Sequence, residues 1–217
     1  MGRYGSARGV VAGVAAGMVL VGCSSEPAAP GRADASTAGA SASAGPGAAS
    51  RVAEGAVIGG RGTPCVLPVS FTTAAEWTAE RVTVAEDPDF AALAEQGPVT
   101  LACEVDAKPA GNIGFLRVWT GDDAGAEPRK VLEGFVGAEK NASKAAYTET
   151  KAGALPAAEV TYTVTPEFGD GPKPERAFAV ATPAGPVVVH LGGLDAGEHR
   201  AMLPAYELAR RTLALTG

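Results

Sequence analysis

Four side chains that could act as acids, bases or metal ligands lie within ten residues near the C-terminus: His190, Asp195, Glu198 and His199. Imidazole and carboxylate groups are common zinc ligands and common general acids and bases. Their spacing does not match the HExxH helix, in which two histidines share one helix face. We expect His190 at a strand end and the other three in a glycine-rich loop. The spacing therefore favours a solvated loop, and we predict no catalytic residue, no metal and no cofactor.

Other candidates for chemistry are weaker. Asp122, Asp123 and Glu127 lack the alternating ligands of a calcium loop, so we predict a solvated turn. No Gly-x-Ser-x-Gly nucleophile motif occurs, and a chain with 2 histidines offers few bases. Trp77 and Trp119 could stack on a sugar or a peptide, but tryptophan more often fills a core. These patterns predict a protein that is not an enzyme.

The chain has 3 cysteines, and two of them, Cys65 and Cys103, lie in the segment 56–217 that we predict to fold as a domain. An even pair in an exported protein favours one disulfide. In the chain-entropy picture, closing a loop of about 39 residues stabilises the fold by roughly 4 kcal/mol. Two buried thiols or a metal-binding pair remain alternatives. No Cys-x-x-Cys redox motif is present.

The third cysteine, Cys23, ends an N-terminal segment that is typical of secretion signals. Arg3 and Arg8 form a positive region, and residues 9–22 are apolar but shorter than the roughly 20 residues that a membrane-spanning helix needs. Residues 20–23 read Leu-Val-Gly-Cys and resemble the lipobox of bacterial lipoproteins. That resemblance implies cleavage after residue 22 and acyl chains, palmitate among them, on Cys23. An ordinary signal with a chance cysteine is the alternative.

Composition divides the remainder of the chain. Residues 23–55 are rich in Ala, Ser, Gly and Pro, with no large apolar residue before Val52, so they predict a disordered tether after the lipidated cysteine. Residues 56–217 predict one globular domain. Loss of Arg3 and Arg8 with the signal would leave 16 basic against 24 acidic residues, a net charge of −8. This acidity argues against binding nucleic acid.

The periodicity of apolar residues predicts an α+β fold, with a mostly antiparallel sheet and helices packed on it. Pro128 and the stripe Val131, Leu132, Phe135 and Val136 predict a helix over 127–140. Prolines and turn residues suggest a hairpin around 183–186. The other predicted helices cover 87–94 and 204–215, and the predicted strands cover 66–71, 77–84, 99–105, 115–120, 145–151, 157–165, 176–182 and 187–191.

This order of elements resembles that of LpqN-type actinobacterial lipoproteins and, more remotely, the PsbP-like α/β/α sandwich. The segments that carry the resemblance are Leu67–Phe71 with Trp77, the helix Val131–Lys140, Gly153–Ala157 leading into Val160–Thr163, the strand pair Ala177–Leu191, and Pro204–Glu207. The resemblance covers most of residues 66–215 and implies a protein without catalytic activity that binds or assembles other components.

Together these features predict a lipoprotein anchored to the extracytoplasmic face of the cell membrane. We expect a non-enzymatic binding or assembly module of the envelope. Its partner would be an envelope protein, a wall component or a small apolar ligand. The alternatives are an envelope hydrolase or metal-dependent enzyme that uses His190, Glu198 and His199, and a structural spacer without a ligand.

Overall fold

The computed structural model describes residues 52–83, 91–167 and 171–217. Cys23 and the predicted signal and tether up to residue 51 lie outside these ranges. Over the described residues the chain forms eleven strands and two α-helices. Their bounds are β1 Glu54–Ile58, β2 Val69–Ala74, β3 Thr78–Arg81, β4 Glu95–Gln96, β5 Val99–Asp106, β6 Gly114–Thr120, α1 Pro128–Ala138, β7 Ala142–Ala152, β8 Leu155–Val164, β9 Lys173–Thr182, β10 Gly185–Gly193, α2 Ala196–Thr212 and β11 Ala214–Leu215.

The described strands form two antiparallel sheets. The large sheet has the order β3-β5-β6-β10-β9-β8-β7, with the short β4 paired to β5, and the small sheet has the order β1-β2-β11. Most neighbours in the large sheet are consecutive along the chain, as expected for hairpins joined by tight turns. The predicted α+β class, with a mostly antiparallel sheet, is confirmed.

The large sheet is buried on both faces. One face packs on α1 through Phe135, Trp119 and Val160, and the rings of Phe135 and Trp119 meet edge to face at 5.5 Å. The opposite face packs on α2 and on the small sheet through residues such as Val189, Tyr206 and Phe71. Alternation along each strand explains the division, because successive side chains point to opposite faces. We call these faces the α1 face and the α2 face.

Helix α1 matches the prediction closely. Pro128 occupies the first turn, where its missing N–H breaks no helical hydrogen bond. The predicted stripe Val131, Leu132, Phe135 and Val136 is buried against the sheet.

Helix α2 begins eight residues before the prediction, at Ala196 rather than Pro204. Asp195 is its N-cap, and its carboxylate accepts hydrogen bonds from the backbone N–H groups of Gly197 and Glu198 at 2.7 and 2.9 Å. The prediction of a loop over Asp195–His199 is therefore wrong. It took Pro204 as a first-turn residue, whereas Pro204 lies inside the helix.

Several predicted strand bounds also shift. Residues 66–68 precede β2, which instead extends to Ala74 because Ala74 pairs with Glu54 of β1. Of the second predicted strand, 77–84, residues 78–81 form β3 and residue 84 lies outside the described ranges. Of the predicted helix 87–94, residues 87–90 lie outside the described ranges, and Ala92–Ala94 form a 3-10 turn.

A glycine pair lets α2 approach the large sheet closely. Gly114 and Gly193 face each other across β6 and β10. A Cβ atom at Gly193 would lie 2.9 Å from the backbone nitrogen of His199 and 3.0 Å from Cε of Met202. Because such contacts are too short for carbon, the N-terminal half of α2 requires glycine at this position.

Cys65 and Cys103 form a disulfide, with their Cα atoms 5.9 Å apart. Cys103 lies on β5 and is fully buried on the α2 face. The disulfide ties the loop before β2 to the large sheet and so fixes the small sheet against the core.

Candidate functional site

A cleft of about 330 Å³ opens on the α1 face, where the large sheet extends past the C-terminal end of α1. We call it the His190 cleft. His190 is 7% exposed and lies against Phe135 of α1, with ring centroids 5.5 Å apart. The lining residues are Ile113, Gly114, Phe115, Arg117, Glu139, Val164, Lys173, Glu175, His190, Gly192, Gly193 and Leu194.

Strand register brings the polar residues of this cleft together. In the β9–β10 hairpin, His190 lies opposite Ala177, so Glu175 is its diagonal neighbour on the same face. In the β10–β6 pair, His190 lies opposite Arg117. Lys173 precedes Glu175 by two residues and therefore shares its face.

Glu175 is the centre of the hydrogen-bonded group. Its carboxylate lies 2.9 Å from His190 Nε2 and 2.7 Å from Lys173 Nζ. Burial raises the pKa of Glu175, but the hydrogen bonds and charges of His190 and Lys173 outweigh burial and hold that pKa below its usual value. Glu175 is therefore an ionised carboxylate with two partners, although its side chain is only 4% exposed.

The imidazole of His190 has no nitrogen free for a ligand. Nε2 must carry the proton that it donates to the ionised Glu175. Tyr162 Oη, 3.2 Å from the same nitrogen, can only share that proton as a second acceptor. Burial, followed by the charge of Glu175, raises the pKa of Tyr162, so its phenol stays protonated. Nδ1 is buried and has no hydrogen-bond partner among the described residues.

A second ion pair forms the opposite wall of the cleft. Arg117 Nε donates to Glu104 Oε1 at 2.6 Å, and the guanidinium carbon lies 5.0 Å from the centre of the Phe115 ring. The two terminal nitrogens of Arg117 make no hydrogen bond within the described ranges. They are donors available to a ligand, in the planar arrangement that suits carboxylates and amides.

Gly192 leaves the floor of the cleft open. A Cβ atom there would lie 3.4 Å from Glu175 Oε2, 3.4 Å from His190 Cε1 and 3.9 Å from Arg117 Nη1. These are ordinary contact distances, so the fold tolerates a side chain at this position. The space between the three polar groups exists because residue 192 has no side chain.

The structure does not bring the four residues of the sequence cluster into one site. Glu198 accepts hydrogen bonds from Asn112 Nδ2 and the Ile113 backbone N–H, at 3.3 and 3.0 Å. His199 packs on the α2 side, where burial lowers its pKa and leaves Nδ1 without a partner. Among the four, the only side-chain hydrogen bond in the described ranges is the helix cap, in which the Glu198 backbone N–H donates to the Asp195 carboxylate. Within the described ranges, no group of three or more His, Cys, Asp or Glu side chains could hold a metal.

The remaining sequence candidates take structural positions. Trp77 and Trp119 are buried, at 8% and 6% exposure. The turn that contains Asp122 and Asp123 is exposed, and Asp123 accepts a hydrogen bond from the Gly125 backbone N–H at 2.9 Å.

A second buried polar cluster holds α2 to the sheet. Glu159 on β8 accepts hydrogen bonds from Tyr206 Oη at 2.9 Å and Arg176 Nη2 at 2.8 Å. Glu207 bonds both Arg176 and Arg210, at 3.1 and 2.6 Å. Burial and the neighbouring Glu159 raise the pKa of Tyr206, so its hydroxyl remains a donor. This cluster fills the space between α2 and the sheet and opens into neither the cleft nor the surface groove described below.

Comparison with known proteins identifies a family and a distantly similar solved structure. A family model described as an uncharacterised lipoprotein matches residues 33–213. A crystal structure of LpqN, described as involved in cell envelope biogenesis of Mycobacterium tuberculosis, is 16% identical to this chain. The alignment covers 75% of this chain and 90% of LpqN, with a TM-score of 0.37. No curated protein sequence matches the chain. In the described ranges, no helix combines the length and apolarity needed to cross a bilayer.

Proposed function

The chain belongs to the uncharacterised lipoprotein family, and we propose that it is a membrane-anchored, extracytoplasmic binding module whose ligand occupies the His190 cleft. Membership of the family makes the protein a lipoprotein, as the lipobox predicted. The extracytoplasmic face, the anchor on Cys23 and the absence of catalysis are parts of the proposal. One observation carries the proposed role: the cleft is open, yet its central groups Glu175, His190 and Lys173 are already bound to one another.

Paired groups favour recognition over reaction. A general base needs an accessible lone pair within hydrogen-bond reach of its substrate. Both nitrogens of His190 fail that requirement, since Nε2 is engaged by Glu175 and Nδ1 is buried. Lys173 is likewise bound, to Glu175 and to the Gly193 carbonyl oxygen at 3.1 Å. A site held in this way is preorganised, which lowers the entropic cost of binding.

The lining indicates an amphipathic ligand. Ile113 and Leu194 are 48% and 62% exposed, and with Phe115 they supply apolar surface at the rim. Arg117 supplies the free donors. Carboxylates and ammonium groups are both present, so the cleft has no strong preference for ligand charge. A small molecule with one polar end, or an exposed segment of an envelope protein, fits this chemistry.

The test fills the cleft without altering its paired charges. Gly192→Leu places a side chain between Glu175, His190 and Arg117. Gly137→Leu is the matched control, because Gly137 is exposed, a Cβ there has no neighbour within 4 Å, and the residue lies outside the cleft. Lipidated full-length protein would be crosslinked in cells and the captured species identified by mass spectrometry.

We expect a species that the unmodified protein and the Gly137→Leu variant both capture and the Gly192→Leu variant loses. Capture that is equal in all three proteins would refute the cleft as the binding site. Unchanged thermal unfolding of both variants would show that a loss of capture does not come from unfolding.

A further inference from the structure

A second recess lies on the small sheet, away from the His190 cleft. It is a groove of about 610 Å³, lined by Val57, Gly59, Gly60, Arg61, Thr63, Val66, Leu67, Ser70, Leu215, Thr216 and Gly217. We call it the small-sheet groove. Val57, Val66 and Leu215 are 57%, 63% and 44% exposed, and they make up half of the large apolar side chains that the described residues leave exposed. Apolar side chains gathered in one recess indicate a binding surface rather than scattered exposure.

The groove is rigid before any ligand arrives. Gly59 donates its backbone N–H to the Cys65 carbonyl oxygen at 3.1 Å, and Leu67 donates back to the Gly59 carbonyl oxygen at 2.8 Å. The Thr63 hydroxyl donates to carbonyl oxygens of the same loop. The disulfide at Cys65 ties this loop to the core. Because these bonds hold the loop 59–67 in one conformation, its exposed apolar side chains do not fold over one another and remain accessible to a ligand.

The groove has one cationic side chain, Arg61. It is exposed and makes no salt bridge or hydrogen bond to any described residue. The hydroxyl of Thr216 is already used, since it donates to the Leu67 carbonyl oxygen at 2.9 Å. An apolar trough with a single cation beside it suits an amphiphile that carries an anionic group next to a hydrocarbon chain. A phospholipid has this arrangement.

The groove lies close in sequence to the predicted membrane anchor, and therefore within reach of bilayer phospholipids. It lies at the Ile58 end of β1, and β1 begins at Glu54, two residues earlier than the predicted start of the domain at residue 56. Four residues of strand separate Glu54 from Ile58, roughly 13 Å. The segment between Cys23 and β1 has a root-mean-square reach of about 30 Å if it behaves as a flexible chain. A lipid anchor on Cys23 would therefore hold the groove at a high local concentration of bilayer lipid.

We propose that the small-sheet groove binds one acyl chain of a phospholipid from the anchoring bilayer, with the lipid phosphate at Arg61. The inference rests on the proposed membrane anchor and is independent of the proposed ligand of the His190 cleft. Val57, Val66 and Leu215 contact the chain, and Leu67 forms the base of the groove.

The experiment uses lipidated full-length protein in vesicles of phosphatidylcholine and phosphatidylglycerol. A fraction of the phosphatidylcholine carries a diazirine in one acyl chain, and labelled peptides are mapped after illumination. We expect label on peptides that contain residues 57–67 and 214–217. Val66→Asp should reduce that label roughly tenfold, because a carboxylate would have to be buried against hydrocarbon. Gly60→Leu should also reduce it, while Gly192→Leu should leave it unchanged.

Arg61→Ala provides a second variant that leaves the apolar lining intact. It should lower the label from phosphatidylcholine and from photoactivatable phosphatidylglycerol alike, since both lipids carry the phosphate. Val66 and Arg61 are exposed, and unchanged melting of both variants would establish that they fold.

Three results would overturn the proposal. Label that is equal in the wild type and in Val66→Asp would reflect proximity to the bilayer rather than occupancy. A groove protected from hydrogen exchange but free of vesicle-lipid label would be occupied by the protein's own acyl chains. A dimer crosslinked through residues 57–67 would make a second copy the occupant. None of these results bears on the Gly192→Leu experiment, so the two proposals can fail separately.

Discussion

Replacing Glu175 with glutamine tests whether the paired carboxylate organises the His190 cleft. The substitution keeps the shape of the side chain but removes the charge that Lys173 and His190 share. Hydrogen bonds to charged groups contribute about 1.5–3 kcal/mol each. Lys173 is 26% exposed, so solvent weakens its share, and glutamine can still accept one hydrogen bond. We therefore expect Glu175→Gln to lower the free energy of unfolding by about 2–3 kcal/mol at pH 7.

The loss of stability caused by Glu175→Gln should become smaller at acid pH. The pKa of Glu175 lies below its ordinary value of 4.5 in the folded protein. The unfolded chain therefore binds the proton first as the pH falls, and the contribution of Glu175 is complete above about pH 4.5 and is lost through the lower, folded-state pKa. The difference in stability between wild type and Glu175→Gln should therefore shrink as the pH falls below about 4.5.

Urea denaturation followed by tryptophan fluorescence measures this, because Trp77 and Trp119 are both buried. The midpoint should fall at an unchanged slope. Glu149→Gln is the control, since Glu149 is exposed and makes no salt bridge with the described residues, and it should change stability by less than about 0.5 kcal/mol. A Glu175→Gln loss no larger than that of the control, or one that persists unchanged at acid pH, would refute the reasoning.

Two further predictions concern the α2 face. Tyr206→Phe removes the hydroxyl that donates to Glu159 at 2.9 Å, and it should lower the free energy of unfolding in urea by about 1.5–3 kcal/mol. Tyr147→Phe is the control, because Tyr147 is half-buried and its hydroxyl makes no hydrogen bond among the described residues. It should lower the free energy of unfolding far less. Equal losses would show that the Glu159 cluster does not hold α2. Replacing Cys65 and Cys103 together with alanine removes the cross-link between two residues that lie 38 positions apart in the sequence. The free energy of unfolding should fall by roughly 4 kcal/mol, and reduction of the wild type should cause the same loss. A double variant as stable as the oxidised wild type would contradict that prediction.

Elements whose burial follows a simple period could be predicted from the sequence. Helix α1 is such an element, with its apolar stripe at helical spacing. Strand β5 is not, because a bulge between Leu101 and Cys103 puts Val99 on the α1 face and Cys103 and Val105 on the α2 face. Helix α2 was predicted too short because Pro204 resembles a first-turn residue. Asp195 followed three residues later by Glu198 is a helix-start signal that could have placed its beginning. The bounds of β2 depend on pairing with β1 and β11, which no local pattern contains.

The site was only partly predictable for a similar reason. His190 was identified as a polar residue at a strand end, but its partners Glu175 and Tyr162 lie 15 and 28 residues away in sequence. The predicted turn at 183–186 would pair residue 182 with residue 187, whereas the structure pairs Thr182 with Gly185, so the predicted turn does not give the register of the hairpin. Counting back along both strands from Thr182 and Gly185 places residue 177 opposite His190 and residue 175 opposite Gly192, on the same face. Tyr162 required the register of a further hairpin, β8 with β9.

The separation of the two recesses by the large sheet makes the domain two-sided. The small sheet that bears the groove packs on the α2 face, and the His190 cleft opens on the α1 face. A molecule seated on a bilayer through the groove would direct the cleft away from the lipid, towards whatever lies beyond the membrane. Orientation would then be set by the folded domain itself, and the linker would determine only how far it can travel before it settles.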